Sequence, residues 1–235
     1  MSARQPVGPD ATDRYERRAC FLDGIQPFDL PLGEPELAFA CGRVGDHAEG
    51  LLAAERTGVE RMRDVRLREY SSGRRVARHA LGLLGTKDRA VTARGRVPVW
   101  PTGVVGSITH SRTLAMAMAS RTSSYAGIGV DLELEHRVTD ELASRVLLVE
   151  ERERPAGEDW QTMQFAAKEA VYKAVNPLVG EYLSFEDVEV CAREAGEFRA
   201  GTTRPRESSA AIESGQGCFQ RVEGHWLCVF LVPND

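Results

Sequence analysis

Phe165-Ala166-Ala167-Lys168-Glu169-Ala170-Val171-Tyr172-Lys173-Ala174-Val175 is the stretch on which the reading of this chain turns. It is rich in alanine, and no glycine or proline interrupts it before Pro177, which predicts a helix over residues 160–175 ended by Asn176-Pro177. At about 100° per residue, Met163, Ala166, Ala167, Ala170, Val171, Ala174 and Val175 fall on one broad apolar face. Glu169 and Lys173, four apart, share the other side with Lys168 nearby. Taken alone this is an ordinary amphipathic helix with a surface Glu–Lys pair worth about 0.2–0.5 kcal/mol. Two other stretches change its weight: Gly127-Ile128-Gly129-Val130-Asp131-Leu132-Glu133 and Gly106-Ser107-Ile108-Thr109-His110-Ser111.

Asp131 and Glu133 stand two apart at the end of an apolar strand pattern, so both carboxylates point to one face. Two same-facing acids there are unfavourable unless a cation or water neutralises them. Leu132 faces the other way and packs inside, with its carbonyl between the two acids as a further oxygen donor. Together with Glu169 these give an all-oxygen set, which suits Mg²⁺, with Mn²⁺ as the alternative ion. Asp-x-Glu on its own is a weak signal. A single histidine is more often a hydrogen-bonded structural residue than a ligand. In His110, though, the flanking hydroxyls of Thr109 and Ser111 suit a phosphate oxygen or a ribose.

The 235 residues suffice for one domain or two halves of about 110–120 residues. With 42% hydrophobic, 28% charged and 7% aromatic residues, the chain has the composition of a globular protein rather than a disordered one. A formal net charge of −5 speaks against a general nucleic-acid footprint. The five cysteines form no CxxC pair, so a zinc site is not expected. No charged start leads into an apolar run, and no apolar run approaches the roughly 18 residues a membrane span needs. A cytoplasmic, reducing setting without membrane contact follows.

In chain order, residues 1–14 read as a frayed tail. Residues 20–32 read as loop with brief strands, and residues 34–54 as small helical pieces between glycines. A helix is expected over residues 59–84, stopped by Gly85, with two shorter helices meeting at Gly73 as the alternative. It carries Arg61, Arg63, Arg66, Arg68, Arg74, Arg75 and Arg78, a solvated face in the plain reading and a phosphate site in the sharper one, since guanidinium forks grip phosphate oxygens in pairs. Arg94-Gly95-Arg96 is a basic loop where Gly95 lets backbone approach a ligand. Residues 104–109 and 114–119 read as strands joined at His110-Ser111-Arg112; the Met/Ala run in the second is compatible with helix as well. Residues 120–124 form a polar seam. Thr139 is an N-cap, and residues 155–159 form a loop. Residues 184–191, 196–200, 209–214 and 225–232 read as strands. The order, helix then antiparallel sheet, is α+β.

The three motif stretches, with Trp100-Pro101 ahead of them and the arginine-bearing residues 66–78 upstream, resemble the 4′-phosphopantetheinyl transferases, and among them the larger Sfp-type enzymes of the enterobactin synthase component D branch. The resemblance covers residues 60–190 and includes the order and the gaps. It implies a pseudo-twofold pair of α+β halves, residues 15–122 and 123–235, with the active site in the cleft between them. It implies transfer of the phosphopantetheine arm of coenzyme A to a serine of an apo acyl or peptidyl carrier protein, releasing adenosine 3′,5′-bisphosphate. On that reading Asp131, Leu132, Glu133 and Glu169 hold Mg²⁺, Glu169 takes the serine proton, and Lys173 neutralises phosphate, with Lys168 assisting or packing. Thr109, His110, Arg66 and Arg74 contact the nucleotide and its phosphates, Arg94-Gly95-Arg96 covers the adenine, and Leu183 touches the pantetheine. A monomer is expected. The competing readings are a Mg²⁺-dependent phosphohydrolase or nuclease, and a non-catalytic nucleotide-binding module.

Overall fold

The structure is a computed structural model that describes residues 18–30, 36–153, 158–193 and 196–234. The tail expected over residues 1–14 and most of the loop at 155–159 lie outside them. Strands Ala19–Phe21 (β1) and Ala38–Arg43 (β2) come first, followed by the 20-residue helix Asp64–Leu83 (α1). Thr92–Arg94 (β3) and Val97–Val99 (β4) form a small hairpin. Val104–His110 (β5), Leu114–Arg121 (β6) and Tyr125–Leu134 (β7) follow. Two short helices, Asp140–Val146 (α2) and Val149–Glu153 (α3), lead to the 20-residue helix Trp160–Val179 (α4). Val188–Ala192 (β8), Glu197–Thr202 (β9), helix Ser209–Ser214 (α5), Gln216–Val222 (β10) and His225–Pro233 (β11) complete the chain.

The strands form a four-stranded sheet, β1-β2-β6-β5, and a five-stranded antiparallel sheet, β7-β11-β10-β9-β8. Side-chain alternation then dictates four layers. In β6, Leu114, Met116 and Met118 face the second sheet, while Ala115, Ala117 and Ala119 face α1. In β7, Ile128, Val130 and Leu132 join the core between the sheets. In β11, Leu227, Val229 and Leu231 do the same, and Cys228, Phe230 and Val232 pack under α4 with Ala166, Ala170 and Ala174. The order is therefore α1, sheet, sheet, α4, a mixed α+β architecture. Among the described residues no helix is long and apolar enough to cross a membrane.

Several expectations are corrected. Residues 38–43 are a buried strand between β1 and β6, not helical pieces. The first helix starts at Asp64 and runs unbroken through Gly73, where an added Cβ would lie 3.0 Å from the Ile108 side chain, so the glycine admits close packing on β5. The helix α4 continues past Pro177 to Val179 and closes at Gly180, in the left-handed region at φ 68°, whose N–H bonds the Asn176 carbonyl at 2.8 Å. Residues 209–214 form helix α5 rather than a strand, and the strand that pairs with β11 is β10. Thr139 does cap α2, accepting from Leu142 N–H at 3.4 Å.

The packing of α4 on β7 sets the site. A Cβ at Gly129 would fall 1.8 Å from the Ala170 carbonyl oxygen, and one at Gly127 2.4 Å from that of Ala174. Backbone sits on backbone, and neither can yield. Gly129→Ala is expected to lose about 2–3 kcal/mol of unfolding free energy, read as a lowered urea midpoint in far-UV circular dichroism. An unchanged midpoint would refute this account of the contact.

Candidate active site

Strand ends and helix faces converge where α1, β5, β7 and α4 meet. A cavity of about 560 Å³ is lined by Arg66, Glu69, Tyr70 and Arg74 of α1, by Gly95, Arg96 and Pro98 of the β3–β4 hairpin, and by Thr109, His110, Asp131, Glu133, Glu169 and Lys173. A second cavity, of about 570 Å³, adjoins it and is more apolar, with Trp100, Val104, Ile128, Tyr172 and Leu178 in its walls. Arg96, Pro98, Ile108, Glu169 and Lys173 line both.

Asp131 is 4% exposed. Its Oδ1 accepts from Lys173 Nζ at 2.5 Å and from Thr109 Oγ1 at 3.1 Å. Its Oδ2, equally buried, has no partner among the described residues. Lys173 Nζ also donates to the Val130 carbonyl at 3.2 Å and to Thr109 Oγ1 at 3.3 Å. Burial pushes the Glu133 carboxyl up to about 7, with the Asp131 charge adding to the shift. Glu169 is raised for the same two reasons, in the same order, while Lys173 opposes the shift. The three carboxylates thus feel one another across the cavity. They line it without closing into a cation cage: among the described residues no group of three or more His, Cys, Asp or Glu is drawn together tightly enough to hold a metal.

The donor set nevertheless fits a hard divalent cation. The orphaned Oδ2 has its lone pairs free, and a cation would relieve the mutual repulsion of the acids. Leu132 packs its side chain into the core as expected. The N–H of Val130 bonds Ser107 Oγ at 3.1 Å and its carbonyl bonds Lys173, so both point away from β11. The two-residue period turns the Leu132 carbonyl to that same edge.

On the opposite wall, Arg66 Nη1 lies 2.8 Å from His110 Nε2 and 3.4 Å from Glu69 Oε2. An arginine only donates, so Nε2 is the acceptor nitrogen. Burial pushes the His110 pKa down, against the pull of Glu69. Arg74 is buried, its guanidinium 4.4 Å from the Tyr70 ring centroid and bonded to the Thr92 carbonyl at 3.1 Å, with Nε unpartnered among the described residues. The arginine crowd is divided. Arg75 binds Asp23 with both terminal nitrogens, at 2.8 and 3.0 Å, and Arg78 pairs with buried Glu55.

Arg94, Lys168 and Leu183 are not brought to this cavity. Arg94 is an exposed residue of β3. Lys168 is 2% exposed and faces elsewhere, its Nζ 2.7 Å from Glu151 Oε2 and 2.8 Å from the Phe185 carbonyl. Leu183 packs in the core beneath α4. Conversely, sequence reasoning assigned no role to Glu69, Tyr70 or Tyr172. Glu69 was findable, three residues from Arg66 on one helix face.

The description "4′-phosphopantetheinyl transferase N-terminal domain" matches residues 54–120, and "4′-phosphopantetheinyl transferase superfamily" matches residues 127–229. The chain is 36% identical over 159 residues to 4′-phosphopantetheinyl transferase Svp of Streptomyces mobaraensis, covering 64% of this chain and 65% of that protein. It is 33% identical over 131 residues to PptT of Mycobacterium tuberculosis, covering 53% and 58%. To enterobactin synthase component D of Salmonella typhimurium it is 35% identical over 118 residues, covering 47% and 49%. In each case the match spans less than two thirds of the relative's own length. Two matches of one family, to residues 54–120 and 127–229 on either side of the passage from β6 to β7 and enclosing every residue of the acid–lysine cluster, place this chain in the 4′-phosphopantetheinyl transferase superfamily, a family of transferases.

Proposed function

We propose that this chain transfers the 4′-phosphopantetheine arm of coenzyme A to a serine hydroxyl of an apo acyl or peptidyl carrier-protein domain. The observation that carries the reading is the shared wall of the two cavities. Glu169 and Lys173 stand between an arginine-bearing polar chamber and an apolar one. A molecule with a phosphorylated nucleotide at one end, a flexible arm at the other and a diphosphate between matches that arrangement. The names of the relatives point the same way. We read the chain as two related halves, residues 15–122 and 123–235, with coenzyme A between them.

In this reading Arg66, Arg74 and His110 receive the phosphate groups of the nucleotide, and Gly95 and Arg96 flank the base. The arm lies along Trp100, Tyr172 and Leu178. The serine Oγ attacks the phosphorus that bears the arm, and the bond from that phosphorus to the bridging oxygen breaks. Adenosine 3′,5′-bisphosphate leaves with the bonding electrons, and the serine proton passes to the Glu169 carboxylate. Burial has already raised the affinity of Glu169 for a proton. Lys173, donor to Asp131 in this structure, supplies positive charge beside the diphosphate. Asp131, the Leu132 carbonyl, Glu133 and Glu169 would hold a divalent ion, Mg²⁺ by the hardness of the donors, which neutralises diphosphate charge when bound.

Incubation of the protein with coenzyme A, Mg²⁺ and an apo carrier protein should add the arm's mass to the carrier serine. Hydrolysis of coenzyme A or of nucleic acid without transfer would instead support the phosphohydrolase reading. Glu169→Gln should lower kcat about 100-fold or more while the thermal midpoint stays near that of the wild type; retained turnover would remove Glu169 from proton transfer. For Arg66→Ala, the expected result is a rise in KM for coenzyme A of about tenfold with kcat little changed, and an unchanged KM would place the phosphates elsewhere.

A further inference from the structure

Hydroxyls recur at every second residue of β5 and on into its turn: Ser107, Thr109, Ser111. Each reaches across to the second sheet. Ser107 Oγ accepts from Val130 N–H at 3.1 Å, and Thr109 Oγ1 donates to Asp131 Oδ1 at 3.1 Å. Ser111 Oγ lies 2.9 Å from Nε2 of His225, the first residue of β11. His225 is 3% exposed, and its Nδ1 is 2.8 Å from the Glu223 carbonyl. A carbonyl only accepts, so Nδ1 carries the proton and Nε2 offers the lone pair; Ser111 Oγ is the nearer donor to it, with Thr113 Oγ1 3.4 Å away. The same serine oxygen accepts the N–H groups of Thr113 and Leu114, at 3.1 and 3.0 Å, which closes the β5–β6 turn. Glu223 is itself anchored by Arg43 of β2 at 2.8 Å.

Strand alternation then sends His110, between Thr109 and Ser111, the other way, into the cavity wall against Arg66. We propose that Ser111 and His225 are a positioning pair. Their hydrogen bond clamps the residue after His110 to the sheet that bears Asp131 and Glu133, and so fixes the His110 imidazole relative to Arg66 and the acids. Neither Ser111 nor His225 lines either of the two cavities described above, so they act through His110. The kinetic part of this proposal rests on the transferase reading above.

The test uses His225→Phe, which keeps ring volume and leaves Ser111 its turn bonds, and Ser111→Ala, which leaves His225 bonded to Glu223. Each should raise the KM for coenzyme A about fivefold with kcat changed less than twofold. The double variant should be no worse than the more affected single one, and Ser111→Thr should restore the wild-type KM. An unchanged KM with only a lowered thermal midpoint, or effects that multiply in the double variant, would overturn the proposal. Should His225→Phe fail to fold, the Ser111→Ala and Ser111→Thr pair decides. If the wild-type protein neither binds nor consumes coenzyme A, the transferase reading fails, and the pair is judged by ¹⁵N NMR of the histidine rings. Ser111→Ala must then shift both His225 Nε2 and the His110 ring; an unmoved His110 overturns the positioning role.

Discussion

Everything near the cavity depends on how deeply α4 sits on β7. The helix backbone lies against the bare backbone of Gly127 and Gly129, with the carbonyl oxygens of Ala170 and Ala174 where side chains would otherwise stand. Alanines at 166, 170 and 174 complete the close approach from the helix side. Glu169 precedes Ala170, and Lys173 precedes Ala174, so the depth of the helix fixes how far both reach toward Asp131. The next residues on the same face of β7 after the two glycines are Asp131 and Glu133. One strand face thus provides first the seat for the helix and then the acids that meet its polar side.

The charges around that seat differ from those elsewhere in the molecule. Buried Glu55 accepts from Leu52 and Val91 N–H and pairs with Arg78. Buried Glu151 accepts from Leu148 and Val190 N–H and pairs with Lys168. Asp187 is held by Ser184 and two arginines, Arg204 and Arg206. These carboxylates have their oxygens matched, as burial demands. Asp131 keeps one buried oxygen without a partner, and neither Glu133 nor Glu169 is ion-paired among the described residues. The carboxyl groups that outnumber Lys173 are local to the cavity, and they sit beside a wall bearing Arg66 and Arg74.

What could be read from the sequence follows from how local each signal was. The α4 helix, the strands around Ser107 and Asp131, and the same-facing acids were legible because period and spacing are short-range properties. The run over residues 38–43 was not, since a strand buried on both faces shows no alternation and Gly42 mimicked a break. Residues 209–214 were read as a strand because six residues, fewer than two turns of helix, are too few to display a period. Pro177 was read as a stop, whereas near the end of a helix it removes little hydrogen bonding. In the site, the arginines of α1 were legible as a crowd, but their division between cavity and ion pairs was not. Asp23 and Glu55, which occupy Arg75 and Arg78, arrive from distant loops that no local pattern announces.

The two lysines of the motif show why residue identity alone does not assign a role. Lys168 and Lys173 are five apart, and on a helix that separates them by about 140°. Lys168 therefore looks toward α3 and β8, where Glu151 and the Phe185 carbonyl close around it in a nearly dry contact. Lys173 looks toward β5 and β7, is partly exposed, and lines both cavities. Glu169, only four from Lys173, shares its side of the helix. A buried ammonium held by a carboxylate and a carbonyl has no charge to spare for a ligand, and removing it would strand Glu151. A partly exposed one can be reached by a ligand's anion while it stays against Asp131. By that reasoning Lys168 fastens the outer side of α4 to the fold, and Lys173 is the cation the helix delivers to the cavity.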